Sequence, residues 1–241
     1  EIPCNDEVAS LLSSFNSMIA IQTKMRDDLI EAEKLKQQLS LSLLQQQVNP
    51  HFLYNTLDNI CALAELDEKE TLIQLVMNLS SFYRSSLSNG KMHISIGQEL
   101  EISRAYLEIL QIRYFHKFDF TITCPEALKN YSCIKLLLQP ILENSIYHGI
   151  KGLDRHGILH IEAEDTGDCI RFTISDNGRG FSKEDYEKIW QQDADHFGIK
   201  SIQQRILLYY GPGYGLSMES PQTGGCITVI TLPKQEGLPC H

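Results

Sequence analysis

The run NPHFLYN, residues 49–55, divides the chain into two parts of different structural character. The first 45 residues contain no glycine, and no proline after Pro3. A proline inside a helix removes a backbone N–H and clashes with the preceding turn, so Pro50 predicts a kink or a restart. Asn49 is suited to cap a helix that restarts there. We therefore expect one long helix before this run and a new helix from Pro50.

The segment before Pro50 carries a heptad pattern. Eight of ten positions spaced alternately three and four residues apart are apolar or alanine. The ten positions are Val8, Leu11, Phe15, Met18, Gln22, Met25, Leu29, Ala32, Lys36 and Leu39. A helix of this length would overhang a small domain, so we predict a parallel dimeric coiled coil. The two polar members, Gln22 and Lys36, would weaken this stalk while fixing its register.

A helical hairpin is predicted after Pro50. In its first helix four apolar side chains share one face, and His51 points to the opposite, polar side. That face consists of Leu53, Leu57, Ile60 and Ala64. A turn at residues 67–69 leads to a second helix, whose inward side chains are Leu72, Leu75, Leu79 and Phe82. Hairpins from two subunits would form a dimeric four-helix bundle.

From about residue 98 the pattern becomes that of an α+β domain. Period-two alternation predicts strands at residues 118–124, 158–165, 169–176, 214–220 and 226–233. Helices are predicted at residues 98–113, 134–148, 182–190 and 199–209. Ser182 and Asp185 form a capping-box pattern at the start of the third of these helices. The expected fold is a sheet covered by helices.

Composition narrows the class of protein. The net charge is −10 and no basic patch is present, which argues against nucleic acid as a partner. The seven cysteines are odd in number and form no CxxC pair, so we expect reduced thiols, as in a cytosolic protein. No stretch approaches the ~20 apolar residues of a membrane span. We expect the chain to be soluble as given and to be a fragment of something longer.

The motif DNGRG, residues 176–180, directly follows a predicted strand. Asn-Gly alone is typical of a two-residue hairpin turn. Glycines on both sides of Arg179 would also let the backbone approach a flat ligand closely. The carboxylate of Asp176 could then accept a hydrogen bond from an exocyclic amine, such as that of adenine. No Walker A sequence occurs, which excludes a P-loop as the nucleotide site.

A second motif, ENSIYHG at residues 143–149, lies about thirty residues earlier. On a helix, Asn144 and His148 would lie one turn apart, with Glu143 and Tyr147 alongside. An amide oxygen is a suitable ligand for Mg²⁺ that bridges phosphates. Alone, a helical asparagine is usually a surface or capping residue. Its position ahead of DNGRG is what favours a role in binding.

Together these motifs resemble those of the sensor histidine kinases, specifically the LytS/YesM-like group. DEVASLLSSFNSMI, residues 6–19, looks like the second helix of a HAMP signalling module. LQQQVNPHFLYNTLDNI, residues 44–60, looks like the dimerisation and phosphoacceptor helix. The remainder resembles a GHKL-type ATP-binding domain, an α/β sandwich. The implied domains are a HAMP-like remnant and stalk at 1–30, an acceptor hairpin at 31–92 and a catalytic domain at 93–241.

The resemblance implies roles for individual residues. His51 would accept the phosphoryl group, and Asn55, one turn later, matches a position linked to dephosphorylation of the regulator. Glu143 is the candidate general base. ATP and Mg²⁺ would be the cofactors, with Asn144 as the metal ligand. The residues expected to bind the nucleotide are Asn144, His148, Asp176, Gly178, Gly180, Gly198, Lys200, Gly224 and Gly225, with a mobile lid at roughly residues 181–197.

Four positions depart from the family pattern. Phe52 follows the acceptor histidine where many kinases have a carboxylate, as is usual in this subgroup. Tyr147 stands where the family has a lysine, and Lys200 or Lys151 are candidates to compensate. His196 replaces a glycine at the end of the lid. Cys226 replaces a common threonine, which we interpret as a packing change.

The implied function is autophosphorylation of His51 from ATP, followed by transfer to an aspartate on the receiver domain of a response regulator. A homodimer is implied, as is the cytoplasmic portion of a bacterial membrane sensor whose membrane segments lie upstream. A GHKL-type ATPase is disfavoured because Pro140 occupies the position of its catalytic glutamate. A dimeric, nucleotide-binding pseudokinase scaffold without chemistry stays open as an alternative.

Overall fold

The computed structural model describes residues 15–27, 30, 50–87, 92–190, 197–222 and 224–235. The chain divides into two compact units, Glu1–Gln46 and Gln47–His241. In the first unit, residues 15–27 form an exposed helix, α1, which agrees with the predicted helix. Its heptad side chains Phe15, Met18 and Met25 are exposed. The coiled coil stays a prediction, since six of the ten heptad positions lie outside the described residues.

The second unit begins with the helical hairpin. Its two helices are α2, Pro50–Glu65, and α3, Lys69–Ser86. Asn49 lies outside the described residues, so its capping role stays a prediction. The predicted turn is confirmed, with Asp67 at a φ of 58°. On α3 the expected inward residues Leu75 and Phe82 are buried.

The buried face of α2 differs from the predicted one. Phe52 and Thr56 are buried, whereas Leu57 is 43% exposed and Ala64 is also exposed. Of the predicted stripe, Ile60 packs against the core. The face is displaced because the large Phe52 ring enters a cluster with Phe82 and Tyr106, and burial of an aromatic ring dominates the orientation of the helix.

The rest of the unit is a five-stranded sheet with helices, as predicted. The strands are β2 Phe118–Thr123, β4 Gly157–Asp165, β5 Cys169–Asp176, β6 Gly215–Glu219 and β7 Cys226–Pro233. Their order in the sheet is β2-β4-β5-β7-β6; β2 and β4 are parallel, and the other neighbours are antiparallel. Two short strands, β1 His93–Ser95 and β3 Ser132–Ile134, form a small separate sheet that the sequence analysis missed.

Helices cover this sheet around one apolar core. They are α4 Ile96–Arg113, α5 Gln139–Asn144, α6 Lys183–Trp190 and α7 Phe197–Tyr210, with a 3₁₀ turn at Glu126–Leu128. Reciprocal hydrogen bonds between Ser95 and Gln98 cap the start of α4. The predicted capping box of α6 is present, with Asp185 N donating to Ser182 Oγ at 3.1 Å and Ser182 N to Asp185 Oδ2 at 3.1 Å.

The helix predicted at residues 134–148 is wrong at its beginning. Ile134 ends a strand, and α5 starts only at Gln139. The intervening turn places Leu136 at a φ of 55°. Glu99 accepts hydrogen bonds from the N–H groups of Leu136 and Leu138, both at 2.9 Å. These bonds from a distant helix hold a turn that local helix propensity would not form.

The opposite side of the same turn is held by a buried cation. Arg205 of α7 is 1% exposed and donates to the backbone oxygens of Leu136, at 3.2 Å, and Lys135. Burial raises the pKa of the Glu99 carboxyl, although the N–H groups of the turn and the charge of Arg205 oppose this. A buried carboxylate and a buried guanidinium therefore fix the point at which α5 begins.

No helix in the described part of the chain combines the length and apolar composition that crossing a membrane requires.

Candidate nucleotide-binding site

A cavity of about 620 Å³ opens where the end of β5 meets the end of α5. Five of the predicted binding residues line it, which are Asn144, His148, Asp176, Gly180 and Gly224. The other lining residues are Ser145, Gly149, Arg179, Phe181, Ser182, Asp185, Ser220, Pro221, Gln222 and Cys226. The wall thus combines a carboxylate, an amide, an imidazole and several backbone segments, which suits a polar ligand with a flat ring.

Asp176 is the deepest acidic group of this cavity. It ends β5 opposite Cys226 of β7, and it is 9% exposed. One carboxylate oxygen, Oδ1, accepts a hydrogen bond from Gly178 N at 2.8 Å. The other, Oδ2, is buried without a hydrogen-bond partner among the described residues. A buried acceptor without a partner is costly, so this oxygen is suited to a ligand that donates a hydrogen bond.

Burial raises the pKa of the Asp176 carboxyl above its ordinary range. The Ser145 hydroxyl and the N–H groups of Gly178 and Cys226 lower it by less. A carboxylate that is poorly solvated gains more from a donated hydrogen bond than an exposed one does. The electrostatics of the cavity therefore favour a neutral or cationic donor group at Asp176.

Glycine is required where the backbone closes around Asp176. A Cβ at Gly178 would lie 2.6 Å from Asp176 Oδ1 and 2.7 Å from Gly149 Cα. Gly225 has a φ of 88°, and a Cβ there would collide with the backbone oxygen of Asp176. Gly178 and Gly225 do not line the cavity themselves, but they allow its walls to approach one another.

The backbone widens where α5 passes into a π-helical turn, Ser145–Ile150. Asn144 ends the α-helical part and His148 lies within the π turn, and both face the cavity. Arg179 N donates to Gly149 O at 3.2 Å, which joins this turn to the loop after β5. Single π turns occur frequently at functional sites. No sequence pattern described above predicts this π-helical turn.

His51 is not among the described residues that line the cavity. It is exposed on the first turn of α2, as its predicted polar side requires. Asn55, one turn later, is half-buried, and its amide nitrogen has no hydrogen-bond partner in the described part of the chain. Within the described residues, none of those that line the cavity belongs to α2 or α3. The structure therefore does not bring His51 and Asn55 together with the predicted nucleotide-binding residues.

Comparison with known proteins gives two adjacent matches. Residues 39–118 match the family described as "Histidine kinase", and residues 131–236 match "Histidine kinase-, DNA gyrase B-, and HSP90-like ATPase". The gap between the two matches, residues 119–130, lies in the α/β part and includes most of β2. This chain belongs to the histidine kinases.

Relatives within the family are sensor kinases of the LytS/YesM-like group. The chain is 31% identical to the sensor histidine kinase YesM of Bacillus subtilis, over 95% of this chain and 39% of that protein. It is 27% identical to the sensor protein LytS of Staphylococcus haemolyticus, over 90% of this chain and 37% of that protein. It is 33% identical to the sensor histidine kinase BtsS of Escherichia coli, over 75% of this chain and 31% of that protein. The chain thus spans less than two fifths of the length of these relatives.

Solved structures match this histidine kinase chain less strongly. The structure of histidine kinase ThkA in complex with response regulator protein TrrA is 16% identical and covers 86% of this chain and 66% of that chain, with a TM-score of 0.49.

Two residues of the ENSIYHG motif of this histidine kinase point away from the cavity. The Glu143 carboxylate accepts a hydrogen bond from the Tyr106 hydroxyl at 3.2 Å. The Tyr147 hydroxyl accepts one from Arg113 at 3.0 Å, and burial raises its pKa to about 12. Neither residue lines the cavity. The role of Glu143 as a general base stays a prediction.

The predicted second glycine box also lies apart from the cavity lining. A Cβ at Gly198 would approach Pro140 Cβ to 3.3 Å, so this glycine permits α7 to pack on the start of α5. Neither Gly198 nor Lys200 is among the described residues that line the cavity. His196, which replaces a glycine of the family pattern, lies in the range 191–196, outside the described residues.

Several cavity residues were not singled out from the sequence. Arg179 lies inside DNGRG, and Phe181, Ser182 and Asp185 follow within five residues of it. Their place directly after the glycine motif was the available signal. Ser220 directly follows β6, and no sequence motif includes it. Its hydroxyl donates to Gly225 O at 3.0 Å and accepts from Phe181 N at 3.1 Å.

Proposed function

We propose that this chain is the kinase core of a two-component sensor histidine kinase. It transfers the γ-phosphoryl group of ATP to His51 and passes it to an aspartate in the receiver domain of a response regulator. The observation that carries this proposal is the buried Asp176 Oδ2, which faces a cavity of about 620 Å³ without a hydrogen-bond partner in the described part of the chain. An acceptor of this kind fits the exocyclic amine of adenine.

The cavity residues have separate roles in this proposal. Asp176 orients the purine, while Gly178, Gly180, Gly224 and Gly225 let the backbone approach it. The Asn144 amide oxygen is the Mg²⁺ ligand, and the neighbouring His148 imidazole supports the polyphosphate. Mg²⁺, when bound, neutralises charge on the phosphates. No cluster of three or more His, Cys, Asp or Glu side chains suited to a metal occurs among the described residues, which fits a metal held largely by the nucleotide.

His51 acts as the nucleophile. A neutral imidazole nitrogen attacks the γ-phosphorus in line, the N–P bond forms as the P–O bond to ADP breaks, and the imidazole proton is released. Catalysis of this kind depends mainly on positioning. In this proposal Asn55 serves a later step, removal of the phosphate from the regulator, and Lys200 contacts the nucleotide.

The hairpin supports assembly as a homodimer. Large apolar side chains remain exposed on α2, on α3 and in the turn between them, which are Tyr54, Leu57, Leu66, Ile73, Val76 and Met77. Patches of this kind mark an interaction surface, and a second copy of the hairpin would complete a four-helix bundle. We propose that the dimer works on the cytoplasmic side of a membrane sensor, where ATP and response regulators are found.

The experiment that tests the proposal is incubation of the chain with Mg²⁺ and γ-labelled ATP. We expect an acid-labile label on the wild type and none on His51→Ala, which should still bind ATP. Asn144→Ala should lose the label through loss of Mg²⁺-dependent binding. His160→Ala and Asn130→Ala alter exposed residues of the same types and should retain the wild-type rate.

The alternatives give different results. Release of free phosphate without labelled protein would support a GHKL-type ATPase. ATP binding with neither labelled protein nor free phosphate would support a pseudokinase scaffold. A label that persists in His51→Ala would contradict the assignment of the acceptor.

A further inference from the structure

The first turn of α2 is anchored by aromatic rings. The Phe52 ring lies 5.1 Å from the Tyr106 ring of α4 and 5.3 Å from the Phe82 ring of α3, measured between centroids. Phe82 and Tyr106 are 5.8 Å apart, and all three side chains are at most 3% exposed. Contacts of this geometry add stabilisation beyond simple burial. The residue directly after His51 is therefore held by a closed cluster of three rings.

Tyr106 connects this cluster to the nucleotide-binding helix. Its hydroxyl donates to Glu143 Oε1 at 3.2 Å, and Glu143 directly precedes Asn144, which lines the cavity. The Tyr106 side chain is fully buried, so loss of this hydrogen bond would leave a polar group without water. One side chain thus contacts the acceptor helix with its ring and the cavity segment with its hydroxyl.

Within one chain, this arrangement does not bring His51 to the nucleotide site. Reacting atoms must approach to ~3–3.5 Å for an in-line attack. His51 is exposed, and no described residue of α2 or α3 lines the cavity. For His51 to reach a nucleotide bound in the cavity of its own chain, the first turn of α2 must therefore leave its present position. Phe52 must then leave the ring cluster, because it is adjacent to His51 on the same turn.

We propose that Tyr106 is a positioning residue that latches the first turn of α2 in a resting position. Its hydrogen bond to Glu143 makes the latch respond to the nucleotide site, since Glu143 moves with Asn144. The effect of this latch on the rate of His51 phosphorylation rests on the proposed kinase function. The docking of α2 against Tyr106 does not depend on that activity.

The test compares Tyr106→Phe with the wild type and with Tyr83→Phe. Tyr106→Phe keeps the ring contacts and removes only the hydrogen bond to Glu143. Tyr83 contacts the Phe82 ring at 5.3 Å, and its hydroxyl has no hydrogen-bond partner among the described residues, so Tyr83→Phe is the matched control. The two measurements are the initial rate of His51 labelling at saturating ATP and hydrogen exchange in residues 51–57.

We expect Tyr106→Phe to raise the labelling rate about ten-fold, as loss of a hydrogen bond to a charged group implies, with the KM for ATP changed less than two-fold. Exchange in residues 51–57 should become faster, while Tyr83→Phe should match the wild type in both measurements. Glu143→Gln keeps a weaker acceptor and should raise the rate by a smaller factor. If Glu143 were instead the general base, this substitution would lower the rate.

An unchanged or lower rate in Tyr106→Phe, with unchanged exchange in residues 51–57, would overturn the latch. A general loss of stability would increase exchange throughout the chain and would likewise contradict it. Absence of label on every variant would contradict the proposed kinase function. Hydrogen exchange would still decide whether Tyr106 docks α2.

Discussion

The hairpin and the nucleotide-binding part of the chain differ in how completely they bury their apolar side chains. In β5, Phe172 and Ile174 are at most 1% exposed. On α3, Ile73 is 56% and Met77 is 63% exposed. The sheet with its helices therefore buries its apolar side chains within one chain, whereas the hairpin leaves an apolar face exposed. Under the proposed function this contrast separates two tasks: one copy binds the nucleotide, and a second copy covers the exposed face of the hairpin.

The strongest test of this contrast is to charge the exposed face of the hairpin. Ile73→Glu combined with Met77→Glu places two carboxylates on one face of α3, four residues apart. We expect the dimer to dissociate, with the mass measured by light scattering reduced to half, while ATP affinity is unchanged. Phe115→Glu together with Leu208→Glu places the same two charges at exposed apolar residues outside the hairpin and should leave the dimer intact. A dimeric double variant would show that the hairpin is not the interface.

A second prediction concerns the sheet and the helices that cover it. Glu99→Gln leaves the buried Arg205 without its countercharge and weakens the bonds to the turn before α5. Loss of one partner of a buried charge pair should lower the free energy of unfolding by about 4 kcal/mol. Denaturant unfolding measures this, with Glu101→Gln as an exposed control on the same helix. A change in Glu101→Gln as large as in Glu99→Gln would argue against a specific role of the buried pair.

A third prediction sharpens the comparison within a single helix. Leu75 is fully buried, so Leu75→Ala should lower the free energy of unfolding by about 3 kcal/mol at any protein concentration. Ile73→Ala should have an effect that depends on concentration, because it acts through association with a second copy. Thermal unfolding at two protein concentrations a hundred-fold apart distinguishes them. Equal concentration dependence would remove the distinction between the two faces.

The smallest expected effect is the pH dependence of the affinity for ATP at the cavity. Burial raises the pKa of Asp176, so its carboxylate becomes protonated at a higher pH than an exposed aspartate. Protonation leaves a neutral and weaker acceptor, and ATP affinity should therefore be full above this raised pKa and fall by at most about ten-fold per pH unit below it. Calorimetric titration measures the profile. Asp176→Asn should bind more weakly and show no such decline, and a parallel decline would assign it to another group.

The sequence predicted the sheet well and the hairpin less well, for physical reasons. Strict alternation marks the two faces of a strand, and the observed bounds of β5 and β7 coincide with the predicted ones. On α2 nearly every side is apolar or aromatic, so periodicity could not show that Phe52 and not Leu53 would be buried. The start of α5 could not be predicted because Glu99 and Arg205, distant in sequence, hold the preceding turn.

The site shows the same division. Asp176 and the glycines beside it belong to one local motif, and the structure places Asp176 in the cavity wall. The orientation of Glu143 and Tyr147 depends on the π turn and on partners in α4, which no local pattern reveals. Residues whose role follows from neighbours in sequence were predicted, and those whose role follows from tertiary contacts were not.

Because His51 and Phe52 are adjacent, the rotation of α2 about its own axis decides whether the imidazole of His51 is exposed. Consecutive side chains on an α-helix point roughly 100° apart. With Phe52 buried and His51 exposed, a twist of α2 about its own axis by this angle would bring the imidazole to the direction that Phe52 now occupies and turn Phe52 out of its ring cluster. A quarter-turn, with no translation along the axis and no unfolding, is thus enough to convert an anchored helix into one whose imidazole faces the body of the protein.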